Sequence, residues 1–138
     1  MSGPDFLDTN ILVNAYDSAE PHKSAVAQQL VFKALSGEMV VSTQVLAELA
    51  AALLHKILPR SAPETVNAIL DVLAPIKTIK SDAELIRRAV DAHKEYGLHF
   101  YDGMIVAAAE RASCSRIWSE DLNPGQPYFG VRVENPFS

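Results

Sequence analysis

Asp5-Phe6-Leu7-Asp8-Thr9-Asn10-Ile11-Leu12 sets an apolar pair directly ahead of an acid, and two polar residues ahead of a second apolar pair. Asp5 to Thr9 reads as a short strand, and the residues from about Asn10 read as the start of a helix. Asp8 then lies at the carboxyl end of a strand, where ligands gather in open parallel sheets. A carboxylate at that junction also suits the N-cap of the following helix. The stretch alone leaves both roles open.

Outward from this segment the same alternation continues. A second helix is expected from about Pro21 to Leu35, a buried strand at Met39 to Val41, and a helix over Thr43 to Ile57. In that helix Val45, Leu46, Leu49, Leu53 and Ile57 recur at three- and four-residue spacing. Ser61-Ala62-Pro63-Glu64 resembles a capping box opening a helix to about Leu73, and Ser81-Asp82-Ala83-Glu84 one opening a helix to about Tyr96, stopped by Gly97. Ile76 to Ile79 suits a strand between them. Asp102 to Ala112 reads as helix, and Arg116 to Ser119 and Val131 to Glu134 as strands. Turn-forming clusters such as Asp17 to Pro21, Pro59 to Pro63 and Asn123 to Pro127 mark element ends, and none is long enough for a linker. Strands alternating with helices predict an α/β fold with a mostly parallel central sheet flanked by helices on both faces.

The 138 residues suffice for one domain with its own core, so a single domain over 1–138 is expected. The formal net charge of −5 provides no global positive field to draw in nucleic acid or an anionic membrane. The lone Cys114 excludes an intrachain disulfide and a cysteine zinc cage, and reads as a buried thiol. Met1-Ser2-Gly3-Pro4-Asp5 shows neither the basic nor the apolar region of a secretory signal. The apolar runs Leu49 to Leu54 and Met104 to Ala109 are too short to cross a bilayer, so the expected compartment is the cytoplasm.

Four acids fall where strands end or helices begin. Asp8 ends the first strand, Asp121 lies just beyond the Arg116 to Ser119 strand, Glu48 follows the Met39 to Val41 strand, and Asp102 opens a helix of its own. Each also has an ordinary reading. Glu48 sits roughly 130° from the centre of its helix's apolar stripe, which suits a solvated face. Asp102, among Phe100, Tyr101, Met104, Ile105 and Val106, suits an N-cap, and Asp121 in Asp121-Leu122-Asn123-Pro124-Gly125 suits a turn. Glu120 and Asn123 are alternatives to Asp121. His99 stands three residues before Asp102, although surface or capping histidines are commoner than ligands. Phe100, Tyr101 and Trp118 read as core, with base stacking a secondary reading. The dense basic group Lys77, Lys80, Arg87 and Arg88 is the candidate for phosphate contacts, against a solvated helix face.

Phe6-Leu7-Asp8-Thr9-Asn10-Ile11-Leu12, Ser42-Thr43-Gln44-Val45-Leu46-Ala47-Glu48-Leu49, Tyr101-Asp102-Gly103-Met104-Ile105-Val106-Ala107-Ala108-Ala109 and Ser119-Glu120-Asp121-Leu122 resemble, in order, the four acidic motifs of PIN domains. The closing Asn135-Pro136-Phe137 is similar to the tail of VapC-type toxins from prokaryotic toxin–antitoxin pairs. The resemblance implies a metal-dependent endoribonuclease in which Asp8, Glu48, Asp102 and Asp121 hold Mg²⁺ or Mn²⁺, supported by Thr9 and Ser119. It further implies an RNA substrate, an antitoxin partner and a homodimer. Gly103 departs mildly from the family pattern, where alanine is more frequent, and is expected to loosen its helix by up to about 1 kcal/mol. The rival from another class is a PIN-like module that binds RNA or protein without cutting. A haloacid-dehalogenase-type phosphotransferase needs a second aspartate two residues after Asp8, and Asn10 stands there. A response-regulator receiver needs an acidic doublet after its first strand and a later lysine, and neither pattern is present.

Overall fold

Phe6 and Leu7 are wholly buried and form, with Asp5, the first strand, β1 (Asp5–Leu7), in the computed structural model, which describes residues 3–138. Met1 and Ser2 of the opening segment lie outside the described residues. The chain runs on through α1 (Thr9–Tyr16), α2 (Pro21–Leu35), β2 (Met39–Ser42), α3 (Thr43–His55), α4 (Pro63–Leu73) and β3 (Lys77–Ile79). It continues with α5 (Ala83–Tyr96), α6 (Phe100–Arg111), β4 (Arg116–Trp118), β5 (Pro127–Tyr128) and β6 (Val131–Glu134). Every residue of β2 is buried, as befits a strand covered on both faces.

The sheet order is β3-β2-β1-β4-β6-β5, with all pairs parallel except the β5–β6 hairpin. The α/β fold with a mostly parallel sheet is therefore as the alternation predicts. From β1 the chain steps outward to β2 and β3, then returns to the other side of β1 as β4. Right-handed crossovers place helices from the outward path on one face and those from the return path on the other. The packing agrees: α1 touches α2 and α3, α3 touches α4, and α5 and α6 pair with each other. β1 and β4 flank the reversal point, so a crevice opens beyond their carboxyl ends.

Several boundaries differ from the sequence reading for local reasons. Ser61 makes no cap; Pro63 opens α4 after Ala62, and no side chain satisfies that end. In α5 the cap is Asp82, which accepts from the Leu85 N–H at 2.9 Å, while Ser81 is engaged with Thr43. α6 starts at Phe100 with His99 as its N-cap, so Asp102 lies within the first turn and is not the cap. The unexpected β5 is only two residues long; Phe129 and Gly130, both at positive φ (48° and 81°), turn it back into β6.

Gly103 has a role that helix propensity alone misses. A Cβ at this position would sit 2.7 Å from the Ala89 carbonyl oxygen and 3.4 Å from the Ala92 Cβ. The small residues Ala89 and Ala92 of α5 and Gly103 of α6 let the two helices approach closely, which fixes the start of α6 beside Asp102. Contrary to the expected loosening, alanine here forces backbone apart. Gly103→Ala should destabilise the fold by about 1–3 kcal/mol, measured by denaturant unfolding; a variant as stable as the parent or more stable would refute the close approach.

Candidate active site at the sheet reversal

Asp8 follows β1, and its backbone N–H donates to the Trp118 carbonyl (3.1 Å), carrying the β1–β4 ladder one residue further. Its side chain then caps α1: Oδ1 accepts from the Thr9 N–H at 2.7 Å. Oδ2 accepts from the Ser119 hydroxyl at 2.7 Å and from the Asn10 amide at 3.3 Å. Both readings of Asp8, cap and cleft acid, thus hold for one carboxylate. It is only 5% exposed. Burial pushes its pKa from 3.8 up to about 6, the hydrogen bonds from Ser119 and the Thr9 backbone oppose this, and the charges of Asp121 and Asp102 add to it.

The other three acids reach the same cleft from three further elements. Glu48 leaves the first turns of α3 on its solvent side and accepts the Thr9 hydroxyl at 2.7 Å. Its exposure agrees with a position off the apolar stripe, but the face it occupies is the cleft wall. Asp102 is half-buried; burial raises its pKa first, Asp121 and Glu48 reinforce the rise, and His99 opposes it. Asp121 accepts from the Asn10 amide at 3.1 Å, and its own N–H donates to the Ser119 oxygen at 3.1 Å. All four line a cleft of about 430 Å³.

The neighbours of Asp121 are employed elsewhere. Glu120 accepts from Asn14 (3.0 Å) and Lys23 (2.9 Å), which tie the loop after β4 to α1 and α2. Asn123 donates to Gln126 at 3.5 Å. Ser119, fully buried, holds Asp8 and accepts from two loop N–H groups, those of Asp121 and Leu122.

Asn10 was not among the residues expected here, yet it lies at the centre. Its amide nitrogen faces Asp8, Ser119 and Asp121, and its Oδ1 accepts from the Glu120 N–H at 3.2 Å. A polar side chain wedged between the Asp8 cap and the buried Ile11-Leu12 pair was the available signal. The expected phosphate group is displaced: none of Lys77, Lys80, Arg87 or Arg88 lines the cleft. Arg88 is held instead by Glu110 at 2.8 and 2.9 Å and lies over the Phe129 ring. The cleft's basic side chain, among the described residues, is Lys56 at the end of α3. Tyr101, expected in the core beside Phe100, is 56% exposed and also lines the cleft. Trp118 is half-buried, donating to Asp5 at 3.0 Å. Cys114 is buried, which raises its thiol pKa to about 12.

Among the described residues no three His, Cys, Asp or Glu side chains converge as a ready ligand set. The donor chemistry nonetheless suits a hard divalent cation: Asp8, Glu48, Asp102, Asp121 and also Asp17, which the sequence did not single out, line one cleft, and the most buried of them, Asp8, is disfavoured in its ionised form. Mg²⁺ typically takes only one or two carboxylates, with water and substrate oxygens completing its shell.

An α/β domain with acids gathered at the reversal of a parallel sheet defines a class of protein, and the comparisons with known proteins specify it. The PIN domain family model matches residues 6–127. The chain belongs to the PIN-domain family. It is similar in structure to a toxin–antitoxin complex from Klebsiella pneumoniae, with a TM-score of 0.70 and 19% identity over 96% of this chain and 97% of that one. VapC20 of Mycobacterium tuberculosis, a toxin that cleaves the sarcin–ricin loop, aligns at a TM-score of 0.67 and 15% identity over 85% and 91%. DNA-bound VapBC of Salmonella typhimurium aligns at 0.66 and 20% identity over 96% and 98%. At these identities the likeness is one of fold. No curated protein sequence gives a significant match to the chain.

The raised pKa of Asp8 has a direct consequence for stability. Folding disfavours its ionised form, so between pH 4 and 6 the native state binds more protons than the unfolded state, and stability falls as pH rises. Without metal, Asp8→Asn should therefore be more stable than the parent at pH 7 by about 1–3 kcal/mol. The gain should shrink towards pH 4. Urea unfolding at both pH values checks this, and a variant less stable at pH 7 would place the favourable contacts of the carboxylate above its desolvation.

Proposed function

We propose that the protein is a metal-dependent endoribonuclease of the VapC type, the toxin of a toxin–antitoxin pair, hydrolysing RNA phosphodiester bonds. The observation that carries this reading is that Asp8, Glu48, Asp102 and Asp121, from separate parts of the chain, all line one cleft at the reversal of the sheet. Membership of the PIN-domain family and a fold shared with toxin–antitoxin complexes support it. An antitoxin partner and a homodimer belong to the same proposal, as does a place in the cytoplasm. No helix among the described residues is long and apolar enough to cross a membrane.

In this reading Asp8, Glu48 and Asp102 hold the principal Mg²⁺ or Mn²⁺ ion, directly or through water. Such an ion, when bound, activates a water and neutralises charge developing on the phosphate. Asp121 holds a second ion or orients the attacking water. Ser119 and Thr9 keep the Asp8 and Glu48 carboxylates aimed through their hydroxyls. Asn10 bridges Asp8 and Asp121 with a neutral donor, which limits their repulsion before any cation enters.

Two measurements test the reading. Purified protein incubated with RNA from its own host should produce discrete new ends with Mn²⁺ or Mg²⁺, none with chelator, and none from Asp8→Asn or Asp102→Asn. Folded, antitoxin-free protein that makes no ends in either metal would favour a binding module. Mn²⁺ should also raise the Tm of the parent and leave that of the Asp8→Asn, Glu48→Gln double variant in place. Equal shifts in both would locate the ion outside this cleft.

A further inference from the structure

We infer that Tyr101 is a stacking platform for one unpaired nucleobase, and that it selects single-stranded RNA for the neighbouring acids. The inference rests on the nuclease reading for its substrate class, and on separate observations for the subsite.

An RNA strand entering this cleft meets, among the described residues, five carboxylates (Asp17 beside the four expected acids) and one basic side chain, Lys56. Counterion release on phosphate contacts supplies much of the affinity of ordinary nucleic-acid binders. Here that source is weak, so affinity beyond the metal must come from contacts to uncharged parts of the strand. Tyr101 is the aromatic residue lining the cleft, adjacent in sequence to Asp102 and more than half exposed.

Two hydrogen bonds hold the Tyr101 backbone, and two neighbouring rings pack against its side chain. The Tyr101 N–H donates to His99 Nδ1 at 3.3 Å, and the Tyr101 carbonyl accepts from Gln44 Nε2 at 3.0 Å. His99 stacks on the ring with centroids 5.8 Å apart and planes 27° from parallel, and Phe100 meets it edge-on at 5.2 Å. A large apolar surface fixed in this way loses little freedom when a base covers it.

Gln44 provides an independent sign. It lies one helical turn before Glu48 and lines the same cleft. With its Nε2 committed to Tyr101, its Oε1 is the buried side-chain polar atom, among the described residues, that has no hydrogen-bond partner. An orphaned acceptor is costly and stands out in a native structure. The cleft wall thus keeps Gln44 bonded to the Tyr101 backbone at the expense of an unsatisfied acceptor. A base in a duplex is stacked on both faces and cannot cover the ring, so the platform reads unpaired strands.

The test uses a fluorescein-labelled single-stranded RNA octamer of mixed sequence and the same strand annealed to its complement. Binding is followed by anisotropy in Mn²⁺, in the Asp8→Asn background so that the strand stays intact. Tyr101→Ala should weaken binding of the single strand about tenfold, Tyr101→Trp should retain it, and binding of the duplex should not change. In the otherwise parental chain, Tyr101→Ala should raise KM more than it lowers kcat. The inference is overturned if the single strand is not bound, if Tyr101→Ala binds it as the parent does, or if Tyr101→Trp loses as much as Tyr101→Ala. A Tyr101→Ala chain that keeps the octamer but loses its protein partner would also overturn it, making the ring a protein contact. Metal-dependent cleavage is read separately. Cleavage without a Tyr101 effect sinks the platform alone, and a Tyr101 effect without cleavage sinks the nuclease reading alone.

Discussion

The Asp8 carboxylate is the constraint on which the rest of the site depends. One oxygen closes the first turn of α1, and the other holds Ser119 beyond the end of β4. A single side chain thereby joins a strand end, a helix start and a loop from the far end of the chain. Burial disfavours its charge, and two further acids add to that cost, so the junction is electrostatically strained while it is geometrically well ordered. Such a combination is more characteristic of a ligand site than of a structural cap, because a cap alone does not need nearby negative charge.

The remaining acids depend on packing as much as on hydrogen bonds. Asp102 is positioned because α6 lies close against α5, an approach set by Gly103, Ala89 and Ala92. Asp121 is positioned because its loop is anchored on both sides. Ser119 and Asn10 hold the cleft side, while Glu120, gripped by Asn14 and Lys23, holds the outer side. Glu48 is the least constrained, an exposed side chain steadied by one hydroxyl. The ordering runs from rigid to adaptable around one cleft, which suits the cation and phosphate site proposed above.

Much of the architecture was legible because the strands are short apolar runs and the helices carry regular spacing. The order of the acids along the chain was legible for the same reason, since each sits where an element ends. What was not legible depended on long-range geometry. The partners of Asn10 lie 109 and 111 residues away, so no local pattern marks it as a hub. Phe100 to Val106 reads as uniformly buried, yet Tyr101 in the first turn of α6 is exposed and lines the cleft. The basic cluster was conspicuous in sequence, but α5 turns Arg88 towards Glu110 and Phe129, and the cleft draws on the isolated Lys56 instead. Gly103 looked like a helix weakness because propensity is a local quantity, whereas its reason is the Ala89 carbonyl on a neighbouring helix.

The 111-residue separation between Asp8 and Ser119 also bears on biosynthesis. Translation delivers β1, α1 and α3 first, with Asp8 and Glu48, and the strand that completes the crevice and the loop bearing Asp121 only after about sixty further residues. Until β4 inserts beside β1, Asp8 has neither its serine partner nor its like-charged neighbour. A nascent chain that still lacks β4 therefore carries its acids as scattered residues, and the centre comes into being only once β4 and the loop bearing Asp121 have been added.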